Sequence, residues 1–401
     1  MRLSLLPLGA FLLATPTLSA PSFTGEPDSS GKYWLFAPGI TASFIPYGAS
    51  ISNLFITDKN GIDRDIVLGF DNATYYSVDP VHPHFGGVPG RYANRIKNST
   101  FTLDDDGEDY HISPNENPTA AHPAGVNTLH GGPDGWDHRN FTVVSYTKSS
   151  ITFSLVDPDG KEGFPGEVIS YITYTLSNRT WDAKMVAIPT TKKTPIMLSS
   201  HTYWNLDGFA NTEAPTALNH TFYLPFSGQT VAVDSILIPT GEISPAPKGS
   251  VNDFWSAPRQ IGEGFSLEGI EGNCGGGCTG YDNCWLVNRN YPYDWRSEDK
   301  MVASLASEWS GIKLEIWSDQ EAFQMYSCNG MNGSMPIKAT QGRDDGTGSR
   351  GVEKYGCVVL EVQDWIDGIN HPEWGRGPKQ IFEPGGDPYV LQVRHRFSVD
   401  A

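Results

Sequence analysis

From Glu167 to Leu176 the chain reads Glu-Val-Ile-Ser-Tyr-Ile-Thr-Tyr-Thr-Leu, with apolar and polar side chains alternating near period two. That period sends successive side chains to opposite faces of a strand and cannot form the single apolar stripe of a helix. Ile51-Ser-Asn-Leu-Phe-Ile56, Thr142-Val-Val-Ser-Tyr146, Lys313-Leu-Glu-Ile-Trp317 and Cys357-Val-Val-Leu-Glu-Val-Gln363 carry the same β-forming residues. Clusters of Gly, Asn, Asp and Pro separate them, drawing on 43 glycines and 29 prolines. No long stretch shows the helical period with caps. The pattern predicts an all-β fold with sheets packed face to face. Beyond residue 20 there is no composition break, long linker or internal repeat, so residues 21–401 read as a single domain.

The first twenty residues read as a secretory signal. Arg2 supplies the positive start, Leu5 to Ala14 a short apolar run, and Leu18-Ser-Ala20 the small-residue end before Pro21. The run is too short for the roughly 20 residues that span a bilayer. Export agrees with six N-x-[ST] sequons, at Asn72, Asn98, Asn140, Asn178, Asn219 and Asn332, so a secreted, extracellular glycoprotein is expected. With 28 Lys+Arg against 46 Asp+Glu, the net charge of −18 excludes a basic footprint for nucleic acid or an anionic membrane surface.

Five cysteines, Cys274, Cys278, Cys284, Cys328 and Cys357, leave an odd one over. Cys274 and Cys278 can close a small loop, and Cys328 and Cys357 can pair across strands, but the sequence does not decide. A zinc reading lacks a second C-x-x-C and a nearby His pair. Asp157-Pro-Asp159-Gly160 resembles the start of a calcium loop, yet Val168 stands where the bidentate Glu belongs. No phosphate loop, G-x-S-x-G elbow or H-E-x-x-H is present.

The residues that can carry chemistry sit in several separated motifs. His201 lies in Ser199-Ser-His-Thr-Tyr-Trp-Asn205, where aromatic rings flank a group suited to proton transfer near neutral pH. His130 precedes two glycines in Asn127-Thr-Leu-His-Gly-Gly132. Gly90-Arg-Tyr-Ala-Asn-Arg-Ile96 offers Asn94, both donor and acceptor, and Arg95, a fixed donor fork. Glu361 interrupts the apolar strand Val358–Gln363, where desolvation raises a carboxyl toward usefulness as a base. Asp282, in Gly280-Tyr-Asp-Asn283, and Gln324, in Phe323-Gln-Met-Tyr326, can bond hydroxyls. Each alone is equally compatible with a structural role.

Together and in this order, the motifs resemble those of the aldose 1-epimerases, or galactose mutarotases. The resemblance runs on through Phe101-Thr-Leu-Asp104, Asp159-Gly-Lys-Glu-Gly-Phe-Pro-Gly166, Glu361-Val-Gln363, Asp367-Gly-Ile-Asn-His-Pro372 and Pro384-Gly-Gly-Asp-Pro-Tyr389, nearly the whole mature chain. It implies a large antiparallel β-sandwich, the supersandwich, with the site in a groove of one sheet. It implies interconversion of α and β anomers of free aldoses such as glucose or galactose. By motif match His201 is the general acid at the ring oxygen and Glu361 the general base at the C1 hydroxyl. His130 would contact the ring-oxygen side, and Asn94, Arg95, Asp282 and Gln324 the remaining hydroxyls.

Opening a hemiacetal needs one proton added and one removed, so an acid and a base facing each other suffice. No redox cofactor and no metal are expected, and the chain is expected to work as a monomer or weak dimer. Val362 stands where the family usually has proline, Gly368 where it has alanine, and Asn283 and Trp285 replace the more usual His and Phe. Two other readings compete: a secreted carbohydrate-binding protein without catalysis on the same fold, and a glycosidase using Asp282 and Glu361.

Overall fold

The computed structural model describes residues 23–103, 107–289, 294–343, 346–347 and 350–400; the N-terminal segment read as a signal lies outside the described residues. A nine-stranded antiparallel sheet forms one layer. Its strands run, in spatial order, Arg259–Gln260, Thr221–Tyr223, Ala303–Ala306, Ile312–Ser318, Tyr389–Val399, Thr180–Pro189, Val168–Ser177, Ser150–Asp157 and Thr142–Tyr146. A six-stranded sheet forms the other, in the order Tyr203–Trp204, Val358–Gln363, Ala322–Tyr326, Asp282–Leu286, Gln229–Val233 and Pro239–Pro245. A four-stranded N-terminal meander, Tyr33–Ala37 to Asp63–Asp65, adds to the packing. The α-helix found among the described residues, Gly377–Gln380, has four residues. No described helix is long and apolar enough to cross a membrane.

The alternation read from the sequence is what joins the layers. Val168–Ser177 buries every second side chain, and Val168, Ile172, Tyr174 and Leu176 enter the main core. Trp181 of the large sheet meets Trp204 of the smaller one at 6.2 Å between ring centroids, and Phe222 meets Phe323 at 6.1 Å. Phe44 of the meander stacks on Tyr174 at 4.5 Å. Each such side chain contributes about 1.5–3 kcal/mol by leaving water. The observed strand bounds differ by a residue from the sequence reading at Val168–Ser177 and Ile312–Ser318.

In the six-stranded sheet the register sorts the two faces. Glu361 pairs with Gln324 and Gln324 with Cys284; two residues along, Val359 pairs with Tyr326 and Tyr326 with Asp282. Directly opposed residues share a face. The other face holds Val358, Leu360, Val362, Phe323, Met325 and Trp285, all in the main core. The sheet therefore turns an apolar surface to the large sheet and a polar, concave surface away from it.

Cys274–Cys278 and Cys328–Cys357 are disulfides, and Cys284 is a free, buried thiol. This resolves the pairing that the sequence left open.

Candidate active site

The polar face of the six-stranded sheet is the floor of a cleft of about 280 Å³. Asn94, Arg95, His130, His201, Asp282, Gln324 and Glu361 all line it, joined by His84, Leu129, Tyr203 and Tyr326. Every site residue expected from the sequence is thus in one place, drawn from strands and loops far apart in the chain.

Glu361 is 3% exposed, so it faces the cleft and not bulk solvent. Its Oε1 lies 3.7 Å from His201 Nε2, and its Oε2 has no protein partner. His201 sits just before the strand Tyr203–Trp204. Its backbone is pinned on both sides: its N–H donates to the Gly87 carbonyl at 2.8 Å, and its carbonyl accepts from Gly86 N–H at 3.0 Å.

The Asn94 and His130 loops hold each other. The Asn94 N–H donates to His130 Nδ1 at 3.0 Å, and the His130 N–H donates to the Asn94 carbonyl at 3.0 Å. Because Nδ1 accepts, the ring proton of neutral His130 is carried by Nε2, which makes that nitrogen a donor. Both residues have left-handed backbones, φ 60° and 52°. Gly131, at φ 85°, follows; a Cβ there would lie 2.1 Å from the Gly90 carbonyl oxygen, so only glycine lets the two loops close.

On the far side, Arg95 grips Glu116 with Nε at 2.9 Å and Nη2 at 2.8 Å, and its Nη2 stands 3.8 Å from Asp282. Gln324 Nε2 donates to Asp282 Oδ1 at 2.6 Å, leaving the Gln324 Oε1 without a protein partner. Unpaired buried acceptors are costly, and Gln324 Oε1 and Glu361 Oε2 are both buried without a partner on side chains that line the cleft.

Burial dominates the electrostatics. It pushes the Glu361 carboxyl up to about 8, with Asp282 adding to the rise and Arg95 opposing it. Burial lowers His201 to about 3, helped by the neighbouring His84. His130 is held well below its ordinary value, and Asp282 is raised, again by burial first. The acid and base expected from the sequence therefore both favour their neutral forms.

Three residues escaped the sequence reading. Glu116, which fixes the Arg95 fork, lies in an irregular Pro/Ala-rich stretch with no pattern to mark it. Arg91, three residues before Asn94, is a structural cation: buried, bonded to Asp157 at 2.8 Å and to the Pro165 and Gly166 carbonyls at 2.7 Å. His84 lines the cleft, its ring centroid 4.9 Å from His130 and 5.4 Å from His201. Among the described residues, two groups have the donors to hold a metal. His130, His201 and Glu361 form one, His84, Asp137 and His138 the other, with ligand atoms inside each group within 4.8 Å of one another.

The family model for aldose 1-epimerase matches residues 33–387. The chain belongs to the aldose 1-epimerase family. It is similar to a protein of Arthroderma benhamiae named as a probable aldose 1-epimerase, 39% identical with 99% of each chain covered. It is similar also to the galactose mutarotase of Homo sapiens, 31% identical over 94% of this chain and 97% of the relative. Among solved structures, an aldose epimerase homologue from C. elegans superposes with a TM-score of 0.75 at 26% identity, covering 92% of this chain and 99% of that one. This aldose 1-epimerase family member is thus an isomerase, and the all-β supersandwich expected from its motifs is the fold observed.

Proposed function

We propose that the protein interconverts the α and β anomers of free aldohexoses such as glucose or galactose, with His201 as general acid and Glu361 as general base. The observation that carries this reading is the opposition of His201 Nε2 and Glu361 Oε1 across 3.7 Å in a cleft whose other lining residues, Leu129 apart, carry polar groups. The acid protonates the ring oxygen while the base takes the C1 hydroxyl proton, and the ring opens to the aldehyde. Rotation about C1–C2 presents the other carbonyl face, and closure returns both protons. No atom is oxidised or reduced.

In the resting pair burial leaves the proton on Glu361, so opening of the cyclic sugar starts once that proton has passed to His201. Opening leaves the proton on Glu361 and His201 neutral, which is the distribution burial favours. The cleft therefore favours the proton positions of the ring-opened state over the separated charges of the cyclic one. His130, donating from Nε2, supports the ring-oxygen side, and Asn94, Arg95, Asp282 and Gln324 hold the other hydroxyls. A carbohydrate-binding protein has no need of two buried proton-transfer groups, and the relatives above carry epimerase or mutarotase names.

The setting proposed is extracellular. The Arg2–Ala20 segment would direct export, and some of the six sequons would carry glycans. All six asparagines are exposed, and two disulfides suit an oxidising compartment. The acidic chain would work as a monomer or weak dimer, with neither nucleic acid nor membrane as partner.

Polarimetry of freshly dissolved α-D-glucose and α-D-galactose tests the activity. A rate well above spontaneous mutarotation, lost in Glu361→Gln, is the expected result. Acceleration of neither sugar, or near-wild-type turnover in that variant, overturns the reading.

A further inference from the structure

Behind one wall of the cleft lies a second cluster that the sugar chemistry does not use. His82 and His84 come from one loop, Asp137 and His138 from another, and a cavity of about 10 Å³ borders all four. That volume is room for about one water-sized occupant. Asp137 is 3% exposed. Its Oδ2 is hydrogen-bonded by His84 Nδ1 and lies 3.6 Å from His138 Nε2, too far for a hydrogen bond. Its Oδ1 has no protein partner, nor has His138 Nε2 or His82 Nδ1, and all three atoms are buried.

The His138 ring is already set for coordination. Its Nδ1 lies 3.1 Å from the Pro133 carbonyl, an acceptor only, so Nδ1 carries a proton. In the neutral ring, Nε2 then presents a lone pair toward a buried carboxylate with no proton between them. Two electron-rich atoms so placed repel unless a proton or a metal cation lies between them. A backbone carbonyl on the far nitrogen is also the support that metal-bound imidazoles commonly have. The geometry points to a site for one first-row divalent ion of the zinc class, ligated by His84, Asp137 and His138, with the buried, unpartnered His82 Nδ1 on a residue lining the same cavity.

The Asp137–His138 spacing agrees, whereas His84, in contact with Asp137 and stacked on His138, would have to shift. Zinc binds imidazole and carboxylate at about 2.0–2.2 Å, which sets tetrahedral ligand atoms about 3.3–3.6 Å apart. The Asp137–His138 separation is 3.6 Å, and all three ligand atoms lie within 4.8 Å of one another. The His82 and His138 ring centroids are 5.3 Å apart. On binding, His84 exchanges its hydrogen bond to Asp137 for the ion, its ring proton then residing on Nε2. His84 also lines the sugar cleft, so the ion would fasten one cleft wall without entering the reaction.

The full chain, dialysed against chelator and then buffer, is titrated with ZnCl₂ by calorimetry and with CoCl₂ by visible absorption. One equivalent of each, with the intense bands of tetrahedral cobalt, is expected. His138→Ala should weaken binding by at least about 100-fold, the upper end of what losing a mere supporting partner costs, whereas Glu361→Gln should leave it unchanged. Absence of binding to the wild-type chain at micromolar metal overturns the proposal, whether or not His138→Ala folds. So does metal retained by His138→Ala and lost by Glu361→Gln, which places the ion on His130, His201 and Glu361.

Discussion

His201 Nε2 and Glu361 Oε1 face each other at 3.7 Å, and both side chains are buried. Between them they hold one proton over a wide range, because burial takes the carboxyl up to about 8 and the imidazole down to about 3. Above about pH 8 that proton leaves, and no acid remains for the ring oxygen. The value of kcat/KM should be flat through neutrality and fall by about tenfold per pH unit on the alkaline side. A profile that rises through pH 8 to 9 would show that the pair does not supply the proton.

Glu361→Gln keeps the shape and removes the titration. Its activity should fall by about 10²–10⁴-fold. Its stability should move the other way. The ordinary carboxyl ionises near 4.5 and the buried one near 8, so below 4.5 both folded and unfolded chains are protonated. As pH rises from 4.5 through 8 the unfolded chain ionises first, and the wild-type protein loses stability across that window. The variant escapes this loss, which has an upper bound of about 5 kcal/mol. Thermal unfolding should therefore show a larger Tm gain at pH 9 than at pH 5.

Glu116 touches no sugar in the proposed reading, yet it holds the Arg95 fork by two nitrogens at 2.9 and 2.8 Å. A hydrogen bond to a charged group contributes about 1.5–3 kcal/mol. Arg95→Lys, which loses the fork, should lower kcat/KM by about 10- to 100-fold. Glu116→Gln should raise KM severalfold and leave kcat close to wild type. Equal loss in kcat would instead assign Arg95 to the chemical step.

The two disulfides close loops of unequal length, with sequence separations of 29 and 4. Chain-entropy reasoning gives about 3.6 kcal/mol for the longer loop and about 2 kcal/mol for the shorter. Replacing Cys328 and Cys357 together by Ser should therefore lower the denaturant midpoint more than replacing Cys274 and Cys278. Equal effects would mean that native packing, not loop closure, sets the contribution.

Gly131→Ala should disrupt the site although it removes no functional group. The new Cβ would lie 2.1 Å from the Gly90 carbonyl oxygen, at a left-handed φ of 85°. Separating those loops breaks the mutual Asn94–His130 hydrogen bonds. Reduced affinity for sugar and a lower Tm should appear together.

The all-β fold was legible because alternation is a local signal: a strand such as Val168–Ser177 shows its buried set without reference to its neighbours. The seven cleft residues were legible only together, through the ordered motifs that resemble the aldose 1-epimerases, since each alone was equally compatible with a structural role. Glu361 illustrates the limit. Alternation alone placed it equally well in solvent; only the register with Gln324 and Cys284 shows that its face is the cleft. Glu116, and the meeting of His84 with Asp137, depend on loops brought together over tens of residues, and no local pattern encodes such an encounter.

The floor under the sugar is a pleated sheet, and its side chains project from a lattice about 4.8 Å between strands and about 7 Å along them. Such a lattice does not hinge. Gln324 and Glu361 occupy neighbouring points of it, with Asp282 and Tyr326 on the next row. Both anomers meet the same stationary surface, and the turn that exchanges them is left to the sugar.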